Sequence, residues 1–171
     1  MKVGDNIEDF EFYAYQKGDF VKGRLSDYSG KWVVLFFYPE DFTFVCPTEI
    51  RAFAKHHKDF ESENSAILAA STDAVHSHKS WFERDLPEVE FPVISDSSHN
   101  LSEQFNVLQD DGRAQRGTFI IDPKGFLRYM VVSDNNVGRS VEETLRVLKA
   151  LKTGELCPIE WKPGEKTLGA D

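Results

Sequence analysis

The sequence predicts an α/β fold in which one mixed β-sheet carries helices on both faces. The first observation is a set of β-prone apolar runs at residues 32–38, 66–70 and, more briefly, 91–94. A run without polar alternation is typical of a strand buried on both faces, as in the centre of a parallel sheet. The second observation is that helical patterns alternate with these runs, which indicates β-α-β units. The third is an antiparallel hairpin after these units, which makes the predicted sheet mixed.

Four stretches have apolar side chains at helical spacing. The first follows Cys46-Pro47 and forms one stripe over residues 50–60. The second covers 75–82, the third is a short helix over 101–105, and the fourth contains Val141, Leu145 and Leu148. The predicted N-caps of the last three helices are Thr72 or Asp73, then Ser97 or Ser98, and finally Ser140, which opens a capping box with Glu143.

Two hairpins and an irregular end complete the prediction. Residues 118–121 lead into a turn at 122–125 and residues 126–132 lead out of it. An earlier hairpin turns around residues 17–19 and joins two N-terminal strands. The last segment, 154–171, contains Pro158, Pro163 and three glycines, and we expect an irregular arm there. The sequence thus divides into a folded domain over 1–153 and an arm over 154–171.

Composition narrows the classes of partner and compartment. The chain of 171 residues suits one domain, and its formal net charge is −9. An acidic surface repels phosphate groups, so neither nucleic acid nor an anionic membrane is an expected partner. The first residues contain no apolar segment typical of a secretory signal, and no apolar run approaches the length of a membrane span. We therefore expect a cytoplasmic protein.

The sequence has two cysteines, Cys46 and Cys157. In a reducing cytosol a lasting structural disulfide is not expected, which leaves inert packing or a working redox pair. Cys46 lies between the most buried predicted strand and a predicted helix that has Pro47 in its first turn. The free amides and positive end of a helix N-terminus favour a thiolate, the reactive form of cysteine. A small buried hydrophobe is the alternative for Cys46, and a packing contact is the alternative for Cys157.

Three motifs, in this order along the chain, carry a family resemblance. Pro39, Thr43 and Cys46 form the pattern Pro-x-x-x-Thr-x-x-Cys, and the segment 44–49 reads Phe-Val-Cys-Pro-Thr-Glu. Arg-Gly-Thr-Phe follows at 116–119, and Gly-Glu-Leu-Cys-Pro at 154–158 precedes Trp161. Over about residues 3–168 the chain resembles the peroxiredoxins, specifically the typical two-cysteine branch and, within it, the group formed by the peroxidase component of alkyl hydroperoxide reductase.

The resemblance implies a thioredoxin-like fold and a thiol peroxidase activity. The Cys46 thiolate would attack hydrogen peroxide or an organic hydroperoxide and become a sulfenic acid. The Thr43 hydroxyl, the Cys46 backbone amide and the Arg116 guanidinium would stabilise the transition state. Pro39 would shield the pocket from water. In a supporting layer, Glu49 would hold the arginines, of which Arg139 would be the second.

The resemblance also implies partners. Cys157 of one protomer would resolve the Cys46 sulfenic acid of another as a disulfide, so the unit would be a homodimer and five dimers would form a ring. A protein disulfide reductant would then regenerate the thiols. A thioredoxin, a dedicated flavoprotein reductase and a small thiol protein all fit the sequence, and no cofactor is expected in the chain itself.

Two alternative functions are open at this point. A general thiol-disulfide oxidoreductase on the same fold would be expected to contain Cys-x-x-Cys, whereas Cys46 is followed by Pro-Thr-Glu. A ring-forming holdase chaperone would have no need of the intact motifs around Cys46. The five histidines show no metal-ligand spacing with the cysteines, so no metal is expected. Of these, His57 and His78 are predicted to pack on helix faces.

Overall fold

The computed structural model describes residues 1–170 and contains one seven-stranded sheet with the strand order β2-β1-β5-β4-β3-β6-β7. The strands are β1 (Glu11–Gln16), β2 (Asp19–Arg24), β3 (Trp32–Phe37), β4 (Ser65–Ser71), β5 (Val93–Ser95), β6 (Arg116–Ile121) and β7 (Leu127–Ser133). The helices are α1 (Cys46–Lys55), α2 (His57–Ser62), α3 (Val75–Asp85), α4 (Asn100–Gln104) and α5 (Val141–Thr153), with a short 3₁₀ turn at Leu25–Tyr28.

The sheet is mixed, as predicted. β3, β4 and β5 are parallel neighbours, and both β6 and the N-terminal hairpin are added antiparallel to them. The hairpins β1–β2 and β6–β7 also form as expected. The long apolar run becomes β3, which lies inside the sheet and is buried along almost its whole length because both of its faces are covered.

The two faces of the sheet have separate cores. On one face, β3 side chains such as Phe36 pack against α1, α2, α3 and α5, and the Phe36 ring stacks on Phe53 at 4.0 Å between centroids. On the other face, Phe37 packs with Phe105 and Phe119 beside α4 and the 3₁₀ turn. The larger helices, including α1 with Cys46 at its start, therefore lie on the same face of the sheet.

Several predicted local features are wrong. The stripe over 50–60 is two helices, because His56 leaves helical geometry at φ −95° and ψ 6°. The N-cap of α3 is Ala74, without a side-chain cap, because the Asp73 carboxylate instead accepts from Ser71 Oγ and from the Asp41 amide. The third apolar run becomes a strand only from Val93, since Pro92 lacks an amide hydrogen to donate.

The capping of α4 also differs from the expectation. Its N-cap is His99 in the left-handed conformation, not Ser97 or Ser98. The buried Asp96 carboxylate accepts from the amides of Leu101 and Ser102 and thereby satisfies the first turn from outside the helix. By contrast, Ser140 caps α5 as predicted, with its Oγ accepting from the Glu143 amide at 3.2 Å. The other half of the predicted capping box is absent, because the Glu143 carboxylate is bonded to Arg146 instead.

The chain leaves α5 at Gly154, whose φ of 66° is a left-handed conformation that favours glycine. Within the described residues, 154–170 contain no helix or strand. Trp161 anchors this arm on α5, because it is buried and its carbonyl accepts from Arg146 Nη1 at 2.7 Å. No helix in residues 1–170 is both long and apolar enough to cross a membrane.

Candidate active site

Cys46 is the first residue of α1 and lies beyond the carboxyl end of β3. Its side chain is only 1% exposed. The helix begins without a side-chain cap, and Pro47 occupies the first turn. Among residues 1–170 the Cys46 amide has no hydrogen-bond acceptor, which leaves this N–H free beside the thiol. The sulfur therefore lies at the positive end of the helix dipole, where an anion is stabilised.

Arg116 contacts the sulfur directly. It begins β6, which pairs antiparallel with β3, and this pairing brings residue 116 to the end of β3 where Cys46 lies. Arg116 Nη1 is 3.4 Å from Cys46 Sγ and also donates to Glu49. Its Nε donates to the Asn135 carbonyl at 2.8 Å. Among the described residues Nη2 has no acceptor, so this end of the guanidinium can bind a ligand.

Glu49 joins both arginines in one buried cluster. Its carboxylate accepts from Arg116 and from Arg139 Nε at 2.6 Å, and the Arg139 backbone amide donates to it at 2.9 Å. Burial lowers the pKa of the Arg139 guanidinium from its ordinary value and Glu49 opposes that shift, so Arg139 keeps its charge. Two cations therefore face one carboxylate, and the surplus positive charge favours a negative sulfur at Cys46.

The two arginines differ in whether all of their side-chain nitrogens are hydrogen-bonded within the protein. Arg139 Nη1 donates to the Gly117 carbonyl and to Thr118 Oγ1, and Nη2 donates to the Phe37 carbonyl at 2.6 Å. All of its nitrogens are therefore used within the protein. Arg116, by contrast, contacts the sulfur through Nη1 and leaves Nη2 without a partner among the described residues, so Arg139 supports the site and Arg116 faces it.

Pro39 and Thr43 belong to the loop between β3 and α1. Pro39 is buried, whereas Thr43 is half-buried. The Thr43 hydroxyl donates to the Glu40 carbonyl at 2.9 Å and makes no hydrogen bond with Cys46. With its hydrogen directed to Glu40, the Thr43 oxygen has lone pairs available to accept a hydrogen bond. The structure thus brings Arg116, Glu49 and Arg139 together around Cys46, and holds Thr43 in a separate contact of the same loop.

Sequence reasoning missed a polar cluster that fixes this loop. Asp41 Oδ1 accepts from Tyr38 Oη at 2.6 Å, and Asp41 Oδ2 lies 2.8 Å from His78 Nδ1 on α3. His78 Nε2 carries a hydrogen, because its partner is the Ile94 carbonyl. Burial raises the pKa of Tyr38 well above its usual value, so its hydroxyl remains a donor. One signal was available: Tyr38 ends a buried strand, and a buried tyrosine hydroxyl needs a partner.

Arg113 is a further charged residue near the site that the sequence reasoning missed. Its guanidinium is bonded to Asp111 at 2.6 Å and lies 3.8 Å from Glu40 in the β3–α1 loop. Asp111, more than Glu40 or the Cys46 sulfur, raises the pKa of Arg113. Since two carboxylates compensate this exposed cation, it adds little positive charge to the site.

Cys157 lies in the arm and is half-buried, with a free thiol like that of Cys46. Its Sγ is 3.5 Å from Thr153 Oγ1 and 3.8 Å from the Ala150 carbonyl, so its contacts within one chain are to the end of α5. Within residues 1–170 no three His, Cys, Asp or Glu side chains are placed to hold a metal ion.

Comparisons with known proteins agree with this geometry. The model of the AhpC/TSA family matches residues 3–130. The putative peroxiredoxin YkuU of Bacillus subtilis is 50% identical over 175 residues, covering 97% of each chain. The chloroplastic 2-Cys peroxiredoxin BAS1 of Spinacia oleracea is 47% identical, covering 99% of this chain and 68% of its own length.

A solved structure matches over nearly the whole chain. The reduced 2-Cys peroxiredoxin of Plasmodium vivax superposes with a TM-score of 0.94 at 32% identity, covering 98% of this chain and 92% of that one. This match confirms the predicted thioredoxin-like fold of the peroxiredoxins. The relatives' names indicate a peroxidase and neither of the two alternatives. The chain therefore belongs to the AhpC/TSA family and is a peroxiredoxin, a thiol-dependent peroxidase that acts on hydroperoxides.

Proposed function

We propose that Cys46 is the residue that attacks the hydroperoxide. The observation that carries this proposal is the contact of Cys46 Sγ with Arg116 in a buried cluster that has one surplus positive charge. The thiolate sulfur would form a bond to one peroxide oxygen as the O–O bond breaks. The other oxygen would leave as alkoxide or hydroxide and take up a proton, giving alcohol or water and a Cys46 sulfenic acid.

Arg116 and the Cys46 amide are suited to stabilise that displacement. Negative charge moves from sulfur onto the two oxygens, and fixed donors along this line lower the barrier. Arg116 Nη2 and the Cys46 N–H are the donors without a protein partner among the described residues. The Thr43 oxygen would accept a hydrogen bond from the O–H of hydrogen peroxide while the Thr43 hydroxyl continues to donate to the Glu40 carbonyl. Pro39 would keep water from the pocket.

Glu49 and Arg139 would support these groups without touching the peroxide. Glu49 holds Arg116 Nη1 in place, and Arg139 links Glu49 to the backbone of β3 and β6. Their proposed role is to fix the direction of the Arg116 guanidinium and to keep the positive charge around Cys46.

Single-turnover assays test the assignment of Cys46. We expect the Cys46→Ser variant to consume no peroxide. The Cys157→Ser variant should consume about one equivalent per protomer and stall as a sulfenic acid that a dimedone-type probe traps. Peroxide consumption by the Cys46→Ser variant at the wild-type rate would overturn the assignment.

We further propose that Cys157 in the arm of one protomer resolves the sulfenic acid of another. Attack by the Cys157 thiol would form an intersubunit disulfide and release water. In support, Cys157 Sγ faces Thr153 and Ala150 of its own chain, and Phe44 next to the Cys46 helix is 95% exposed. The working division of the chain is a peroxidase domain over 1–153 and a resolving arm over 154–171.

The edges of the sheet support a homodimer. β2 and β7 are the two edge strands, and β2 presents charged residues such as Asp19, Lys22 and Arg24. β7 contains one charged residue, Arg128, and exposes Val131 and Val132, so a second copy of the chain can pair with this edge at a lower electrostatic cost. Five such dimers in a ring are the larger assembly that we propose, with Phe42 and Phe44 available for contacts between dimers.

A protein disulfide reductant, either thioredoxin-like or a flavoprotein reductase, would return the disulfide to two thiols. We propose the cytoplasm as the compartment, since its reducing conditions sustain such a cycle. Peroxide-dependent turnover with each purified reductant in turn would identify the reductant, and fractionation of the source cells would test the compartment. Turnover with none of the reductants would contradict the resolved-disulfide cycle.

A further inference from the structure

The side-chain amides of Gln109 and Asn135 form a bridge next to Arg116. Asn135 Nδ2 donates to Gln109 Oε1 at 3.0 Å and joins the loop before β6 to the turn after β7. The Asn135 carbonyl accepts from Arg116 Nε at 2.8 Å. The same turn continues to Arg139, whose amide and guanidinium bind Glu49. The bridge therefore holds a turn that contacts both arginines of the site.

The bridge leaves two polar atoms without protein partners. Gln109 Nε2 and Asn135 Oδ1 are buried, and neither has a hydrogen-bond partner within residues 1–170. Rotating both amides by 180° keeps the bond between the two side chains and exchanges its donor and acceptor. Leaving buried polar atoms unpaired destabilises a fold, and apolar side chains of similar shape would avoid this penalty.

We propose that Gln109 and Asn135 are positioning residues for Arg116. Natural proteins keep a destabilising polar pair mainly where its geometry serves function. Here the bridge fixes the position of the Asn135 carbonyl, which accepts a hydrogen bond from Arg116 Nε. With Nε held by Asn135 and Nη1 held by Glu49, the guanidinium plane is set by two points, which keeps Nη1 in contact with the sulfur and leaves Nη2 without a partner among the described residues. This inference rests on the proposed role of Arg116 in binding the peroxide.

A double variant, Gln109→Met with Asn135→Leu, tests the bridge. It keeps the side-chain volumes nearly constant and removes both unpaired atoms, so the melting temperature should equal or exceed that of the wild type. The rate constant for oxidation of Cys46 by hydrogen peroxide should fall about 10-fold, because Arg116 loses its fixed direction. Alkylation of Cys46 by iodoacetamide should change by less than about 2-fold, since Glu49, Arg116 and Arg139 still set the charge around the sulfur.

The matched control is Asn136→Leu, an exposed asparagine of the same turn whose side chain makes no hydrogen bond within the described residues. It should leave the peroxide rate unchanged. If the double variant does not fold, the single variant Gln109→Met breaks the bridge without substituting any residue of the turn and should show the same loss of peroxide rate. A wild-type peroxide rate in a folded bridge variant would overturn the positioning role. The Cys46→Ser assay fails separately if the proposed function itself is wrong.

Discussion

Glu49 determines how charge is distributed around Cys46. Among residues 1–170 it is the one carboxylate in contact with both buried guanidinium groups, and it accepts from Arg116, from the Arg139 side chain and from the Arg139 amide. Without it, two cations of the same sign would lie buried side by side. Removing one partner of such a buried cluster destabilises a fold far more than the net value of the pair would suggest.

The substitution Glu49→Gln should therefore lower both stability and activity. We expect the free energy of unfolding to fall by about 3–5 kcal/mol, because two buried cations lose their counter-charge. The rate of Cys46 oxidation should fall in the same variant, since Arg116 is no longer held beside the sulfur. Denaturant titration and single-turnover kinetics measure the two effects.

Glu143→Gln is the control for this variant. Glu143 pairs with Arg146 on the exposed face of α5, and its loss should change the free energy of unfolding by no more than about 1 kcal/mol. Equal effects of the two substitutions on the free energy of unfolding would show that burial of the Glu49 cluster does not determine how much it stabilises the fold.

At the scale of secondary-structure elements, the start of β6 positions both arginines of the site relative to the sheet. Arg116 is its first residue, and the next residue, Gly117, lies close to the core side chains of Val107 and Phe119. The Gly117 carbonyl also accepts from Arg139 Nη1 at 2.9 Å. The start of this strand can therefore not move without displacing both arginines.

The substitution Gly117→Ala should disturb this strand. A Cβ at this position would lie 2.7 Å from the Phe119 ring and 2.9 Å from Val107 Cγ1, closer than real side-chain contacts. Overpacking of this kind typically lowers the free energy of unfolding by about 1–3 kcal/mol. We expect a lower melting temperature and slower peroxide reduction, measured by thermal denaturation and single-turnover kinetics.

Gly138→Ala is the matched control, because its added Cβ would meet Val45 at an ordinary 3.6 Å. It lies beside the same cluster but needs no rearrangement of its neighbours, so it should retain the wild-type melting temperature to within a few degrees. If both alanine variants had the same melting temperature and the same rate of peroxide reduction, close packing at the start of β6 would not explain the effect of Gly117→Ala.

At the scale of the whole molecule, we propose that the outer edge of β7 and the arm mediate the contacts between copies of the chain. β7 exposes Val131 and Val132, at 39% and 37%, and no further strand follows it in the sheet. Its first residue, Leu127, is bonded to the backbone of Gly4 and Asp5, which leaves the stretch with the two valines as the edge. The arm carries Cys157 away from the domain core and is anchored by Trp161. Both features point to association between identical protomers, the first through backbone pairing and the second through disulfide chemistry.

The proposed disulfide between Cys46 and Cys157 predicts that the oxidised protein is a covalent dimer. Peroxide-treated protein should migrate as a dimer on a non-reducing gel and as a monomer after reduction, because Cys46 and Cys157 would come from different protomers. The Cys46→Ser and Cys157→Ser variants should each migrate as monomers. A monomeric band for the fully oxidised wild type would mean that the disulfide forms within one chain.

The β7 edge makes a second prediction about assembly. The double variant Val131→Lys with Val132→Lys places like charges on both copies of a symmetric contact, and their repulsion should weaken strand pairing. Sedimentation of the reduced protein should show a smaller species than the wild type. Val3→Lys, an exposed position outside the sheet, should leave the assembly unchanged. Wild-type sedimentation of the β7 variant would exclude this edge as the contact.

The sequence alone determined the features that depend on neighbours close along the chain. The unbroken apolar run of β3 predicted burial on both faces, and Ser140 predicted the start of α5. The sequence also predicted that Cys46 lies at the start of a helix that has Pro47 in its first turn. These predictions hold because periodicity, capping and the fixed geometry of proline act over a few residues.

The tertiary structure decided the contacts between residues far apart in sequence. Glu49 meets Arg139 across 90 positions, Asp41 meets His78 across 37, and Gln109 meets Asn135 across 26. The cap of α4 by Asp96 and the break at His56 were likewise absent from local patterns. The family resemblance implied that Glu49 holds both arginines, and the structure adds which atoms pair. Such pairs depend on the register of β3 against β6 and on the packing of helices over the sheet, which no local stretch of sequence specifies.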